Sequence, residues 1–153
     1  MKVELQEKLF KDFPGIFQGV YQKGSLMNFG IMTGDGWFDL IYKLCQDIDT
    51  VLKTNPNMQE INDFHFMEVK EKFGELRVYA SGIRDSRISE LISEAELASG
   101  TICEHCGRPG KINSGGWLSC MCNVCRARQA WFNAVRGNKQ IIKHTKVCRR
   151  KKQ

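Results

Sequence analysis

Two pairs of cysteines have the type and spacing to do chemistry: Cys103-Glu-His-Cys106 and Cys122-Asn-Val-Cys125. Two residues separate the members of each pair, and fifteen residues, 107–121, lie between the pairs. That spacing matches a four-thiolate zinc site. Thiolates are soft ligands, and four at the corners of a tetrahedron suit Zn²⁺. Each Cys-x-x-Cys turn sets two sulfurs on one side of a tight knuckle, and Gly107 lets the backbone bend around them without a Cβ clash. Four cysteines leave no open coordination position, so the expected zinc is structural. His105, inside the first knuckle, is an alternative ligand and is expected to be exposed. Cys120 is the nearest rival to Cys122, but a one-residue gap between them does not form the usual knuckle. His144-x-x-x-Cys148 is a weaker candidate for a second metal. Cys45 falls on an apolar helical stripe and is expected to be a core thiol.

Other constellations carry less. Asp35, Asp39, His65, Glu68 and Arg77 are the polar residues of the first hundred that can serve an active site. Asp35, followed by Gly36-Trp37, reads more simply as a helix N-cap. His65 and Glu68 are three apart on an expected strand, and in a regular strand they point to opposite faces. No histidine lies between Cys106 and Cys122, which argues against a treble-clef nuclease. No nucleotide-binding glycine motif or Ser-His-Asp order is present. The residues therefore favour a non-catalytic protein, with an enzyme site around Asp35 and His65 as an alternative.

Charge divides the chain. Residues 1–100 hold 11 Lys/Arg and 16 Asp/Glu, a net of −5; residues 101–153 hold 12 Lys/Arg and one acid, Glu104, a net of +11. Four thiolates and one Zn²⁺ together add −2, leaving about +9 at the basic end. An acidic body carrying a basic zinc module points to a polyanion partner. Arg126, Arg128, Arg136, Lys139, Lys143, Arg149 and Arg150 are the expected nucleic-acid contacts, with Trp131 and Phe132 interleaved. The competing role for Trp131 is packing a small zinc core, and that is the expectation here. The bland alternative for the charge is that the two ends satisfy each other.

The elements that must position these residues follow from periodicity. Residues 3–13 read as a short amphipathic helix ended by Pro14-Gly15. Residues 15–34 are glycine-rich and aperiodic, with a short strand expected at Ile16–Tyr21. Trp37, Leu40, Ile41, Leu44, Ile48, Val51 and Leu52 recur at helical spacing, up to a stop at Asn55-Pro56-Asn57. Phe64–Lys70 and Leu76–Ala80 read as a hairpin turning near Phe73-Gly74, one face of which is expected to cover the preceding helix. Asp85 is placed to cap a second helix with Ile88, Leu91, Ile92, Ala95 and Ala98 on its apolar stripe, closed by Gly100. Lys111–Leu118 reads as a hairpin turning at Ser114-Gly115-Gly116, and Arg126–Arg136 as a helix ended by Gly137-Asn138. The tail is expected to be ordered in part at Ile141-Ile142 and solvated after Cys148.

Three segments together resemble a family of small, mostly uncharacterised proteins of bacteriophages and bacteria. They are Gly34-Asp35-Gly36-Trp37 with its helix; Val69-Lys-Glu-Lys-Phe-Gly-Glu-Leu-Arg-Val-Tyr79; and Cys103-x-x-Cys106-Gly107-x-Pro109-Gly110 with Gly116-Trp117 and Cys122-x-x-Cys125. The resemblance covers roughly residues 34–126. It implies a phage origin and supports the zinc site, but supplies no activity. The expected fold is α+β: a helix–hairpin–helix body over 1–100, a treble-clef-like zinc module over 101–138 and a basic tail over 139–153. The expected partner is DNA or RNA, the alternative a host protein such as a defence or transcription factor; homo-oligomerisation stays open. No apolar run approaches the ~18 residues of a membrane span, and the charged N-terminus lacks a signal peptide's apolar core. A cytoplasmic, reducing location is expected, that of the host cell if the protein is phage-encoded.

Overall fold

The computed structural model describes residues 1–22, 25–54, 63–114 and 116–149, and in 137–149 the backbone alone. The expected stop at Asn55-Pro56-Asn57, the Gly115 part of the second hairpin turn and Arg150 lie outside the described residues. So do the side chains of Lys139, Lys143, His144, Cys148 and Arg149, and the fate of the tail after Arg149. The fold is mixed α+β, with four α-helices and two two-stranded antiparallel sheets among the described residues. The chain divides into two compact units, Met1–Cys122 and Asn123–Gln153.

In the first unit, α1 (Val3–Asp12) buries Leu9 and leads Phe13 into the core. Pro14, which has no N–H to give, ends it. The expected strand at Ile16–Tyr21 is not formed. Two 3-10 turns, Gln18–Tyr21 and Leu26–Phe29, take the glycine-rich stretch instead. Its apolar residues still find the core: Ile16, Phe17, Met27 and Ile31 are buried, and the Phe17 ring meets Phe66 edge-on at 5.5 Å. A third 3-10 turn, Asp35–Trp37, runs into α2 (Phe38–Thr54), which buries Ile41, Leu44, Cys45 and Ile48 along one stripe. Cys45 is a core thiol as expected, and burial pushes it well above the usual thiol range.

Strands β1 (His65–Lys72) and β2 (Glu75–Ser81) form the hairpin. Phe73 and Gly74 turn it, both with positive φ, as a two-residue primed turn requires. A register shift at Met67 places Phe66 opposite Ala80 and Glu68 opposite Tyr79. One residue is thereby skipped, so His65 and Glu68 come to the same face, contrary to the regular-strand expectation. Both edges of this small sheet are closed. On the β1 side, Met32 exchanges hydrogen bonds with Val69 and Glu71 (2.9 and 3.0 Å), and the Phe66 N–H donates to the Ile16 carbonyl at 2.8 Å. On the β2 side, α3 (Ser86–Ser99) supplies side chains. The Leu76 N–H donates to Ser99 Oγ at 2.8 Å and the Val78 N–H to Glu96 Oε1 at 2.9 Å. Covered edges cannot recruit a foreign strand. The hairpin's main helical neighbour is α3 rather than α2, and α3 also packs on α2. Asp85 caps α3 as expected, accepting the Arg87 N–H at 3.0 Å.

Strands β3 (Lys111–Ile112) and β4 (Cys120–Met121) complete the first unit. The second arm of this hairpin therefore starts later than the sequence suggests. In the second unit, α4 runs from Asn123 to Arg149, 27 residues. It opens inside the second cysteine pair and continues through Gly137-Asn138, where an end was expected. One interior glycine costs only about 1 kcal/mol against alanine, and no proline follows to enforce a stop.

Candidate metal centre and its support

Cys103 and Cys106 are positioned by a knuckle closed on itself. The Cys106 and Gly107 N–H groups both donate to the Cys103 carbonyl, at 3.3 and 2.8 Å, and the Cys103 N–H donates to the Arg108 carbonyl at 2.8 Å. Gly107 holds φ +73°, the left-handed conformation that lets the chain double back. The Glu104 N–H donates to the Cys120 carbonyl at 3.0 Å, which fastens the knuckle to β4. Cys122 follows β4 directly, and Cys125 lies in the first turn of α4.

The ligating atoms of Cys103, Cys106, Cys122 and Cys125 all lie within 4.8 Å of one another, and no other such group of three or more occurs among the described residues. Cys106 Sγ and Cys122 Sγ are 3.6 Å apart. A regular tetrahedron with metal–sulfur bonds of about 2.3 Å has edges of about 3.8 Å. The four cysteines can therefore hold a metal ion, and these are the four that spacing selects. Cys103 and Cys122 are buried, Cys125 is half-buried and Cys106 is exposed. Arg108 Nε donates to Cys106 Sγ at 3.4 Å, so a guanidinium offsets the negative charge that thiolates gather there. His105 is exposed and outside the cluster. Cys120 is also outside it: buried, it donates its S–H to the Gly100 carbonyl at 3.2 Å.

The knuckle has a support that sequence reasoning assigned elsewhere. The Gly36 N–H donates to the Glu104 carbonyl at 2.7 Å, and the Gly34 N–H to Glu104 Oε1 at 2.8 Å. Trp37, fully buried, donates its indole N–H to the Ile102 carbonyl at 2.8 Å. A Cβ on Gly36 would stand 2.2 Å from the Cys103 oxygen, 2.4 Å from the Gly107 nitrogen and 2.5 Å from the Cys106 nitrogen. Backbone lies against backbone here, and only glycine permits it. Burial pushes the Glu104 carboxyl above its ordinary value, against the pull of the Gly34 N–H.

Asp35 is therefore not a helix cap. Gly34 occupies that position with no side-chain bond, and the Gly34 and Gly36 N–H groups are taken by Glu104. The Asp35 carboxylate accepts the Lys2 N–H at 2.7 Å and pairs with the Lys2 ammonium at 3.3 Å. Partial burial works to raise this carboxyl, but the two Lys2 bonds outweigh it and hold the group below its ordinary value. Beside it, the Met1 ammonium donates to the Thr33 carbonyl, and Gln6 Oε1 accepts the Ile31 N–H at 2.7 Å. Residues 31–35 thus bind α1 on one side and the cysteine knuckle on the other. Of the remaining polar candidates, Asp39 is exposed in the first turn of α2, and three are engaged separately: His65 Nδ1 with the Asp63 carbonyl at 2.9 Å, Glu68 with Lys70 at 2.7 Å and Arg77 with Glu75 at 2.6 Å.

On α4, Arg126 is half-buried, and Arg128 and Arg136 are exposed. Trp131 is 61% exposed, against the expectation of a core role. It meets Phe132 edge-on at 5.2 Å, and the Arg128 guanidinium stands 5.9 Å from the Phe132 ring centre. Lys139, Lys143 and Arg149 fall within the backbone span of α4.

No protein-family model matches the chain, and no curated protein or solved structure matches it. Among the described residues, no helix is long and apolar enough to cross a membrane.

Proposed function

We propose that this is a zinc-binding, nucleic-acid-binding protein in which the metal is structural and α4 meets the polyanion. Knuckle, short hairpin and a helix carrying the fourth cysteine follow the order of a treble-clef zinc finger. Four thiolates close the coordination sphere of Zn²⁺, leaving no position for a reacting water. The observation that carries the nucleic-acid reading is charge: Asn123–Gln153 holds ten Lys/Arg and no Asp or Glu. Twenty-seven of these residues form one helix, about 40 Å long at 1.5 Å per residue. The exposed Trp131–Phe132 pair with Arg128 adds a surface on which bases stack. A phage origin with action in the host cytoplasm accords with the family resemblance.

The test is binding of labelled DNA and RNA oligonucleotides to the purified protein as a function of salt. Each neutralised phosphate releases condensed counterions, so affinity should fall steeply as salt rises. Deleting residues 149–153 removes four cations and should flatten the slope by roughly 0.7–0.9 for each phosphate that those cations neutralise. Affinity independent of salt, or no binding at low salt, rejects the reading and leaves a protein partner as the better account.

A further inference from the structure

The four sulfurs of the candidate metal centre differ in access. Cys103 and Cys122 are buried and Cys125 is half-buried, whereas Cys106 is exposed. The cause is local. Cys103 is held by the bond from its N–H to the Arg108 carbonyl, and Cys122 follows directly on β4. Cys106 lies at the outer turn of the knuckle, between His105 and Gly107, both exposed. A closed coordination sphere keeps water from the metal, but it does not cover a ligand sulfur that faces solvent. The thiolate is the nucleophilic form of cysteine, and its lone pairs outnumber the one given to the metal.

Two neighbours make Cys106 more than an accessible ligand. Arg108 Nε donates to its sulfur at 3.4 Å, which gives the exposed thiolate an electropositive setting. Cys122 Sγ stands 3.6 Å away, a second thiolate within reach of an oxidised sulfur. An exposed thiolate beside a resolving thiolate is the arrangement in which cysteines react with peroxides. Cys45 and Cys120 are fully buried, and burial pushes the Cys45 thiol well above the usual range, away from its reactive form.

We propose that Cys106 is the site at which a peroxide modifies the metal centre, with Cys122 as the resolving thiolate. The proposal rests on the zinc reading above and adds a reaction of its ligands. The Cys106 sulfur attacks one oxygen of hydrogen peroxide. An S–O bond forms, the O–O bond breaks and hydroxide leaves, so the sulfur becomes a sulfenic acid. The Cys122 thiolate then attacks that sulfur. An S–S bond forms and the S–O bond breaks, releasing a second hydroxide. Both hydroxides take protons from solvent: the thiolates are oxidised to a disulfide and the peroxide is reduced to water. Cys103 and Cys125 are then the remaining ligands, too few for a closed tetrahedral site, and zinc is released. The knuckle is bonded to Gly34 and Gly36, so the loss reaches the start of α2.

The experiment treats the full chain, loaded with zinc, with hydrogen peroxide in the presence of a chromogenic chelator. Zinc should be released as the Cys106 and Cys122 thiols disappear together, while Cys45 and Cys120 stay reduced. Dimedone, which traps sulfenic acids, should label Cys106 first. Cys103 and Cys106 share one tryptic peptide and Cys122 lies in another. Mapping should therefore find the two peptides joined, with fragmentation placing the bond at Cys106 and Cys122. Dithiothreitol with added zinc should restore the parent. Cys106→His keeps a zinc ligand that cannot form a disulfide; it should hold its metal over the time that empties the parent. Should that variant fail to load, the label and the mapping in the parent decide. If the parent keeps its zinc in excess peroxide, Cys106 is inert and the proposal falls while the zinc reading stands. A first label on another cysteine, a bond from Cys103 to Cys106, or release from Cys106→His at the parent's rate also overturns it. A protein that takes up no zinc removes both readings.

Discussion

Gly36→Ala puts the contact between the Gly34–Trp37 turn and the cysteine knuckle to the test. The added methyl would stand 2.2–2.5 Å from three backbone atoms of Cys103, Cys106 and Gly107. Backbone atoms cannot swing aside as a lysine tip can, so the two segments must part. Gly36 is not among the positive-φ glycines, so the cost is steric and not conformational. Overpacking of this kind costs about 1–3 kcal/mol, and losing the Gly36–Glu104 hydrogen bond adds about 0.5–1.5 kcal/mol. Together they suggest a loss of roughly 1.5–4.5 kcal/mol, which for about 150 residues lowers the melting temperature by roughly 3–18 °C. Gly15→Ala is the control, since nothing lies within 4 Å of a Cβ there; it should stay within about 0.5 kcal/mol of the parent. The knuckle that Gly36 braces also carries two of the four sulfurs, so Gly36→Ala should lose zinc to a chelator sooner than Gly15→Ala. Thermal melts and chelator competition on the three proteins measure both effects. If Gly36→Ala melts with the control and holds zinc as tightly as the parent, the turn does not brace the metal centre and the argument fails.

Metal analysis should find one zinc per chain, lost in Cys103→Ser and Cys122→Ser but kept in Cys45→Ala and Cys120→Ala, whose thiols lie outside the cluster. Because the knuckle is bonded to residues 34–37, zinc loss should also loosen hydrogen-exchange protection in α1 and the start of α2, and not only in the C-terminal third. Asp35→Asn keeps an oxygen for the Lys2 N–H but loses the charge paired with the Lys2 ammonium, so it should melt slightly below the parent, whereas Asp35→Ala also leaves that N–H without its acceptor and should melt lower still. The Asp35 carboxyl sits below its ordinary value. Its contribution is therefore complete above the unfolded carboxyl range near pH ~4 and is lost as pH falls through the lower folded value. The gap between parent and Asp35→Asn in pH-dependent melts should close on that acid side; a gap that widens there would contradict the Lys2 pairing.

Local patterns were legible in the sequence and long-range packing was not. The cysteine pairs declare themselves because each knuckle is set by three neighbouring residues. The helices α2 and α3 declare themselves because their apolar residues repeat with the helical period, and Phe73-Gly74 because a tight turn sits in two residues. The skip at Met67 leaves no mark in composition, and it reverses the relative facing of His65 and Glu68. Gly137 looked like a helix stop because a glycine shows what the chain permits, not what its neighbours impose. Gly34 and Gly36 are the sharpest case. Their missing Cβ atoms permit a close approach without saying of what. The structure places there the backbone of a knuckle some seventy residues on in the chain, as the 34-to-104 separation requires. Trp37 carried the one signal that could have found it. An indole at the head of an apolar stripe must bury its N–H against an acceptor, and no acceptor was at hand in its own helix. That acceptor is the Ile102 carbonyl, one residue before the first cysteine. In the Met1–Cys122 unit, the glycine turn and the cysteine knuckle therefore form one structural element. A metal held by the four sulfurs would fix the start of α2 as directly as it fixes its own ligands.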